Sequence, residues 1–317
     1  MTKNDTFLKD IQAGLTANPK FISSHYFYDK AGDELFQQIM EMPEYYLTNS
    51  ELEIFSKQSD AIIQSFEISE NEEFELIELG AGDGKKTQHL LKTLLEKKFK
   101  FKYIPVDISQ NSLSIISERM ENLFPDLEID AKQGDYFQVL DELFLSDKPK
   151  VILFIGSNLG NMEDEIAKGF LSKISSHLKK NEKLLLGVDL IKSKEIVLPA
   201  YNDAAGITRD FNLNLLKRIN REFEADFDLE NFEHAPEYTE EEGIAKSFLK
   251  SKKKQTVFIK ELNESFDFEE NELIHTEISR KYNDEILGDL IEDSGLKIAH
   301  QFLDSKKYFA DYILTKS

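Results

Sequence analysis

The sequence predicts an α/β protein: a doubly wound, mostly parallel sheet accompanied by a second, discontinuous α+β domain. Three observations predict it. Short apolar runs alternate with helical patterns from residue 74 to residue 190. The first of these runs ends in a glycine-rich turn, IELGAGDG (77–84). The C-terminus closes with a helical segment and two strand-like runs, LKIAHQFL and YFADYILTK. Strand and helix alternating at this interval imply right-handed crossovers between parallel strands.

Residues 1–57 read as helical, and Thr48 and Glu51 have capping-box spacing ahead of ELEIFSKQSDAIIQSF. FELIELG (74–80) is a short apolar strand ending in glycine. TQHLLKTLLEKK (87–98) has helical spacing, with Leu90, Leu91, Leu94 and Leu95 on one face. KYIPVDIS (102–109) is a second strand, QNSLSIISERMENLF (110–124) a helix striped by Leu113, Ile116 and Met120, and LEIDAKQGDY (127–136) contains a third strand. VILFIG (151–156) is wholly apolar and therefore central in a sheet covered on both faces. EDEIAKGFLSKISSHL (163–178) is a helix and KLLLGVDL (183–190) a fifth strand. TRDFNLNLLKRINREF (208–223) aligns Phe211, Leu215 and Ile219 on one helical face. Residues 255–283 read as strands, with period-two alternation in QTVFIKEL and LIHTEISRKY, and 284–294 returns to helix. These patterns place one domain at 58–192 plus 284–317, and a second at 1–57 plus 193–283. The second domain is expected over the carboxyl edge of the sheet, where ligands bind in open α/β folds.

Composition narrows the function classes. A chain of 317 residues exceeds the usual size of one hydrophobic core, which fits two units. Its formal net charge of −21 repels phosphate backbones, so no nucleic-acid or membrane partner is expected. The basic run Lys252-Lys253-Lys254 reads as a solvated strand end or loop. The absence of cysteine excludes disulfides, thiolate metal sites and cysteine nucleophiles. The histidines at 25, 89, 177, 234, 275 and 300 are scattered and form no HExxH pair, so no metal site is expected. No stretch approaches the run of about 18 apolar residues that spans a bilayer. A cytoplasmic, monomeric enzyme with a small-molecule substrate is the expectation.

The turn at 80–84 suits a cofactor. Gly80, Gly82 and Gly84 permit a tight turn and close backbone approach to a ligand. Asp107 follows Gly84 by 23 residues at the end of the next strand, where a carboxylate can accept from both ribose hydroxyls. A dinucleotide fingerprint needs a third glycine at position 85, which is Lys85. S-adenosylmethionine carries no phosphate and tolerates GxGxG. Glu78 before the glycines would support its methionine end, and Asp135 in QGDYF would meet its adenine amine. The pattern favours a Rossmann-like class I methyltransferase sheet. An NAD-dependent oxidoreductase and a non-catalytic binding module remain as readings from other classes.

The chain also resembles a known family, the histidine-specific α-N-methyltransferases that form hercynine on the route to ergothioneine. The resemblance covers nearly the whole chain. Its segments are YFYDKAGDELFQQIMEMPEYYLTNSE (26–51), IELGAGDGKKT (77–87), YIPVDIS (103–109), GSNLGN (156–161), LLLGVDLIK (184–192), AYNDAAGITRDFNLNLLKRIN (200–220), SKKKQTVFI (251–259) and TEISRKY (276–282). It implies cofactor contacts at Tyr28, Gly80, Lys86, Asp107, Asp135 and Tyr136. It implies that Tyr28 lies near the transferring methyl, and that Tyr45, Asn161, Tyr201, Glu277 and Ser279 hold the amino acid. Asn161 and Tyr201 would take its α-amino and carboxylate end, and Glu277 with Ser279 its imidazole. The residue types suit those roles. An unprotonated amine must be placed in line with the sulfonium carbon, and positioning supplies much of such catalysis. Asn161 offers a donor and an acceptor, and tyrosine rings stabilise an ammonium that gains methyls. Single residues also have plain structural readings: Tyr45 and Tyr201 as packing, Asn161 as the cap of a helix near Met162, Glu277 as a solvated strand residue. One position departs from the family. Members often carry a pocket methionine where this chain has Ser247. The expected reaction is methylation of the α-amine of L-histidine to the trimethylated product. N-methylation of another free amino acid or small amine is the alternative.

Overall fold

The computed structural model describes residues 3–69 and 71–317. The chain divides into two compact units, Met1–Tyr46 with Lys192–Ser279, and Leu47–Ile191 with Arg280–Ser317.

The second of these is the sheet unit. Its strands are β1 (Phe74–Leu79), β2 (Phe101–Asp107), β3 (Lys132–Gln133), β4 (Lys150–Phe154), β5 (Lys183–Asp189), β6 (Leu296–Leu303) and β7 (Phe309–Lys316), in the spatial order β6-β7-β5-β4-β1-β2-β3. Pairing is parallel from β3 to β5, whereas β7 runs antiparallel to both β5 and β6. The α/β class and the terminal hairpin are as the sequence predicts.

Every residue of β1, β4 and β5 is buried. Successive side chains point to opposite faces, so these strands feed two cores. Ile77, Ile152, Phe154, Leu184 and Leu186 join one, with helix Asp164–His177. Leu76, Val151, Leu153 and Leu185 join the other, with helices Thr87–Glu96 and Gln110–Leu123. Because β1 lies between β2 and β4, the strand order reverses there. That switch point is where open α/β sheets bind ligands.

Helix Tyr46–Ser65 packs Ile54, Phe55, Ile62 and Ile63 into the second of these cores, so the expected boundary after residue 57 cuts through it. Its span also corrects the capping-box reading, since Thr48 and Glu51 lie inside the helix. Residues 280–283, expected in the second domain, belong to the sheet unit. There the Tyr282 N–H donates to Asp189 O and the Ile191 N–H to Tyr282 O, each at 2.8 Å. Helix Tyr136–Leu143 was not anticipated, and the third strand shrinks to two residues.

The other unit holds a five-stranded sheet ordered Lys20–Phe21, Leu273–Arg280, Ile244–Ser251, Phe232–His234, with Glu237–Thr239 also on Ile244–Ser251. Strand Ile244–Ser251 alternates strictly in burial but was not expected. Two of its inward positions are Ser247 and Ser251, which weakens the apolar alternation that reveals a strand. Helix Ile207–Phe223 buries Phe211, Leu215 and Ile219 in a core shared with Leu249 and Ile274. Among the described residues no helix is long and apolar enough to cross a membrane.

Candidate active site

In the sheet unit, the glycine turn follows β1 at the switch point. Gly80, Gly82 and Gly84 all have positive φ, a conformation nearly free for glycine and costly for other residues. The Gly82 N–H donates to Asp107 Oδ2 at 3.1 Å, and the Ser109 N–H to Asp107 Oδ1 at 2.9 Å. Two backbone donors thus aim this carboxylate from the end of β2. A Cβ on Gly80 would lie 2.6 Å from Asn158 Nδ2 and 2.7 Å from the Tyr136 hydroxyl. One on Gly156 would lie 3.2 Å from Lys86 Nζ. Three donors therefore gather over two glycines, at the ends of β1 and β4. A Cβ on Gly84 would meet Met120 Cε at 2.6 Å and Ile116 Cγ1 at 2.7 Å, so this glycine lets helix Gln110–Leu123 approach. The close contact that a dinucleotide fold obtains from a glycine at position 85 is made here one residue earlier.

Asp135 is the N-cap of helix Tyr136–Leu143, with Oδ1 accepting from the Phe137 N–H at 2.9 Å. Burial, then the charges of Asp107 and Asp135, push the Tyr136 phenol up, so it stays a protonated donor. Lys86 precedes helix Thr87–Glu96, and its ammonium pairs with Glu51. Burial works against its charge, but Glu51 and then Glu78 outweigh that and raise its pKa.

Glu78 is placed differently from the expectation. It is 1% exposed, and its oxygens accept from Thr87 Oγ1 at 2.6 Å and from the Tyr103 hydroxyl. Burial pushes its carboxyl up to about 7 despite those bonds. It supports the turn from within the core, because a carboxylate so enclosed has no face for the methionine end of a cofactor. Asn161 ends the 3-10 helix Asn158–Asn161 and is exposed. Helix Asp164–His177 takes Glu163 as its N-cap, so the capping reading of Asn161 does not hold.

The other unit holds the remaining candidates. Tyr201 is 6% exposed, and its hydroxyl donates to Ser279 Oγ at 2.8 Å. Asp203 fixes the segment by accepting from the Ile207 and Thr208 N–H groups, each at 2.8 Å, at the start of helix Ile207–Phe223. Glu277 is half-buried on strand Leu273–Arg280, where Ser279 shares its face two residues on. Ser247 Oγ, itself buried, donates to Glu277 Oε2 at 3.3 Å. The Ser247 hydroxyl therefore engages the carboxylate that the resemblance assigns to the imidazole.

Tyr28 and Tyr45 are half-buried and meet Phe36 edge-on, at centroid distances of 5.7 and 6.4 Å. Asp29 anchors Tyr28 by capping helix Lys30–Glu41 and accepting from Asn214 and Arg221. The structure thus joins Tyr201 to Ser279, Glu277 to Ser247, and Tyr28 to Tyr45 through Phe36. Sequence reasoning missed Asn158 and Glu51. Asn158 lay inside the quoted GSNLGN segment, whereas Glu51 was masked by its capping spacing.

A family of histidine-specific, S-adenosylmethionine-dependent methyltransferases matches residues 7–316. The histidine N-alpha-methyltransferase of Mycolicibacterium smegmatis is 34% identical over 296 residues, covering 93% of this chain and 90% of that protein. That of Mycobacterium tuberculosis is 32% identical over 288 residues, covering 91% and 88%. An L-tryptophan methyltransferase of Psilocybe serbica is 26% identical over 324 residues, covering 94% and 90%. The chain belongs to the family of histidine-specific, S-adenosylmethionine-dependent methyltransferases.

Proposed function

We propose that this chain methylates the α-amino group of L-histidine successively, ending at the trimethylated product. When bound, S-adenosylmethionine supplies an electrophilic methyl on a sulfonium. The residues over the glycine turn fit that cofactor: Asp107 for ribose hydroxyls, Asp135 and Tyr136 towards the adenine, Gly80 and Gly82 for backbone approach, and Lys86 for the carboxylate. Asn158 adds a donor beside Gly80. Tyr45, Asn161 and Tyr201 bind the amino-acid backbone. Tyr28 offers an aromatic face to an ammonium that becomes permanently cationic. Its hydroxyl is also suited to relaying the proton that each amine must lose before the next transfer.

The observation that carries histidine is Glu277. A half-buried carboxylate held by Ser247, with Ser279 on the same strand face, suits an imidazole N–H. A relative named for L-tryptophan makes the side-chain end of the pocket the discriminating one. Incubation with S-adenosylmethionine and an amino-acid mixture, read by product mass spectrometry, tests substrate and methyl count together. Trimethylated histidine is expected, and modification of another amino acid instead would overturn the assignment. Charge-assisted hydrogen bonds contribute about 1.5–3 kcal/mol. Glu277→Ala should therefore raise the KM for histidine on the order of 10- to 100-fold while leaving cofactor affinity intact.

A further inference from the structure

Glu51, Lys86 and Asp311 are far apart in the chain, yet they meet in the sheet unit around Gly156 and Gly187. Glu51 is fully buried; one oxygen takes the Lys86 ammonium and the other accepts the Gly156 N–H at 2.8 Å. Gly187 on β5 makes this possible, since a Cβ there would collide with Glu51 Oε1 and lie 2.8 Å from Asp311 Oδ1. Asp311 sits opposite Gly187 in the ladder between β7 and β5. It is fully buried, and neither of its oxygens finds a donor among the described residues. Two carboxyls therefore crowd one point beside a single ammonium. An uncompensated charge there is expensive, so one carboxyl keeps its proton. Burial, followed by the charge of Glu51, pushes the Asp311 carboxyl well above the usual carboxylate range. A proton on Asp311, donated to Glu51, removes one of the two negative charges and leaves Glu51 ionised against Lys86.

We propose that Glu51 is a positioning residue for the cofactor: backed by a protonated Asp311, it holds the Lys86 ammonium ready for the α-carboxylate of S-adenosylmethionine. The inference rests on the assignment of the cofactor to the sheet unit. The carboxylate is the cofactor's one anionic group, and Lys86 is the one cation among its assigned contacts. A lysine side chain is rich in rotamers. Pinning it before the ligand arrives removes an ordering cost from binding.

Calorimetric titration of the intact chain with two ligands tests this. S-adenosylhomocysteine carries the carboxylate, whereas 5′-methylthioadenosine keeps the adenine, ribose and sulfur but lacks it. In Glu51→Gln, S-adenosylhomocysteine should bind about tenfold more weakly, and methylthioadenosine within about twofold of wild type. Equal weakening of both would mark a merely structural role and overturn the proposal, as would unchanged or tighter binding of S-adenosylhomocysteine. In Asp311→Asn the amide replaces the O–H donor, so the loss should stay under about threefold. A loss as large as that of Glu51→Gln would show that Asp311 acts as an anion and would end the proton-sharing arrangement. Failure of the wild-type chain to bind either ligand would sink the cofactor assignment, and this proposal with it.

Discussion

Carboxylates that look alike in the sequence do different work according to what surrounds them. Asp107 is aimed by two backbone donors, Asp135 caps a helix, Glu277 is held by a serine, and Glu51 is spent on a lysine. Glu78 is enclosed with only hydroxyl partners, and its carboxyl is raised from 4.5 to about 7. The folded state therefore holds this proton more tightly than the unfolded chain. The resulting stabilisation is full below pH 4.5 and is lost as pH rises through about 7. The shift corresponds to about 3 kcal/mol. Glu78→Gln keeps an acceptor for Thr87 and offers a donor to the Tyr103 oxygen, with no charge to bury. It should be more stable than wild type by that order at pH 8 and lose the advantage near pH 4.5. Denaturant unfolding at the two pH values checks this; the same difference at both would mean that Glu78 is ionised throughout. Asp107 and Asp135 could be read in the sequence because the first ends a strand and the second stands two residues beyond one. Glu51 could not, because nothing local distinguishes it from a helix-capping residue.

At the scale of elements, the turns after β1 and β4 gather the donors assigned to the cofactor, and glycines set how closely they and their helices approach. Gly84 combines a φ of +68° with contacts that a Cβ would violate at Met120 and Ile116. Gly84→Ala should cost at least about 1 kcal/mol, from the left-handed backbone plus displacement of helix Gln110–Leu123. Gly169 is the internal control. It lies exposed within helix Asp164–His177, and a Cβ there meets nothing within 4 Å. Gly169→Ala should stabilise by about 0.5–1 kcal/mol. Thermal unfolding of the two variants should move in opposite directions. Movement of both in the same direction would refute the packing role of Gly84. Strands β1, β4 and β5 were legible because both their faces are buried, which leaves largely apolar runs. Strand Ile244–Ser251 was not, because serines occupy two of its inward positions.

For the whole molecule, the chain enters one unit, builds most of the other, returns to the first, and ends in the second. Each unit has cores of its own. The residues assigned to the cofactor, Tyr28 apart, fall in the sheet unit. Those assigned to the imidazole, Glu277 and Ser279, fall in the other. Hydrogen exchange separates the two assignments. S-adenosylhomocysteine alone should slow exchange at 80–84, 107–109 and 135–137. L-histidine alone should slow it around 201, 247 and 277–279. Protection by histidine confined to the sheet unit would refute the assignment of Glu277 and Ser279 to the imidazole.

By itself the sequence determined the parallel sheet, its terminal hairpin, the glycine turn and the family. Those features are written in local periodicity and in contiguous motifs, which survive without knowledge of the fold. Only the tertiary structure decided that Glu78 lies in the core, that Ser247 engages Glu277, and that Glu51, Lys86 and Asp311 share one buried point. The reason is physical. A carboxylate's role depends on desolvation and on partners distant in sequence, and neither exists until the chain has packed.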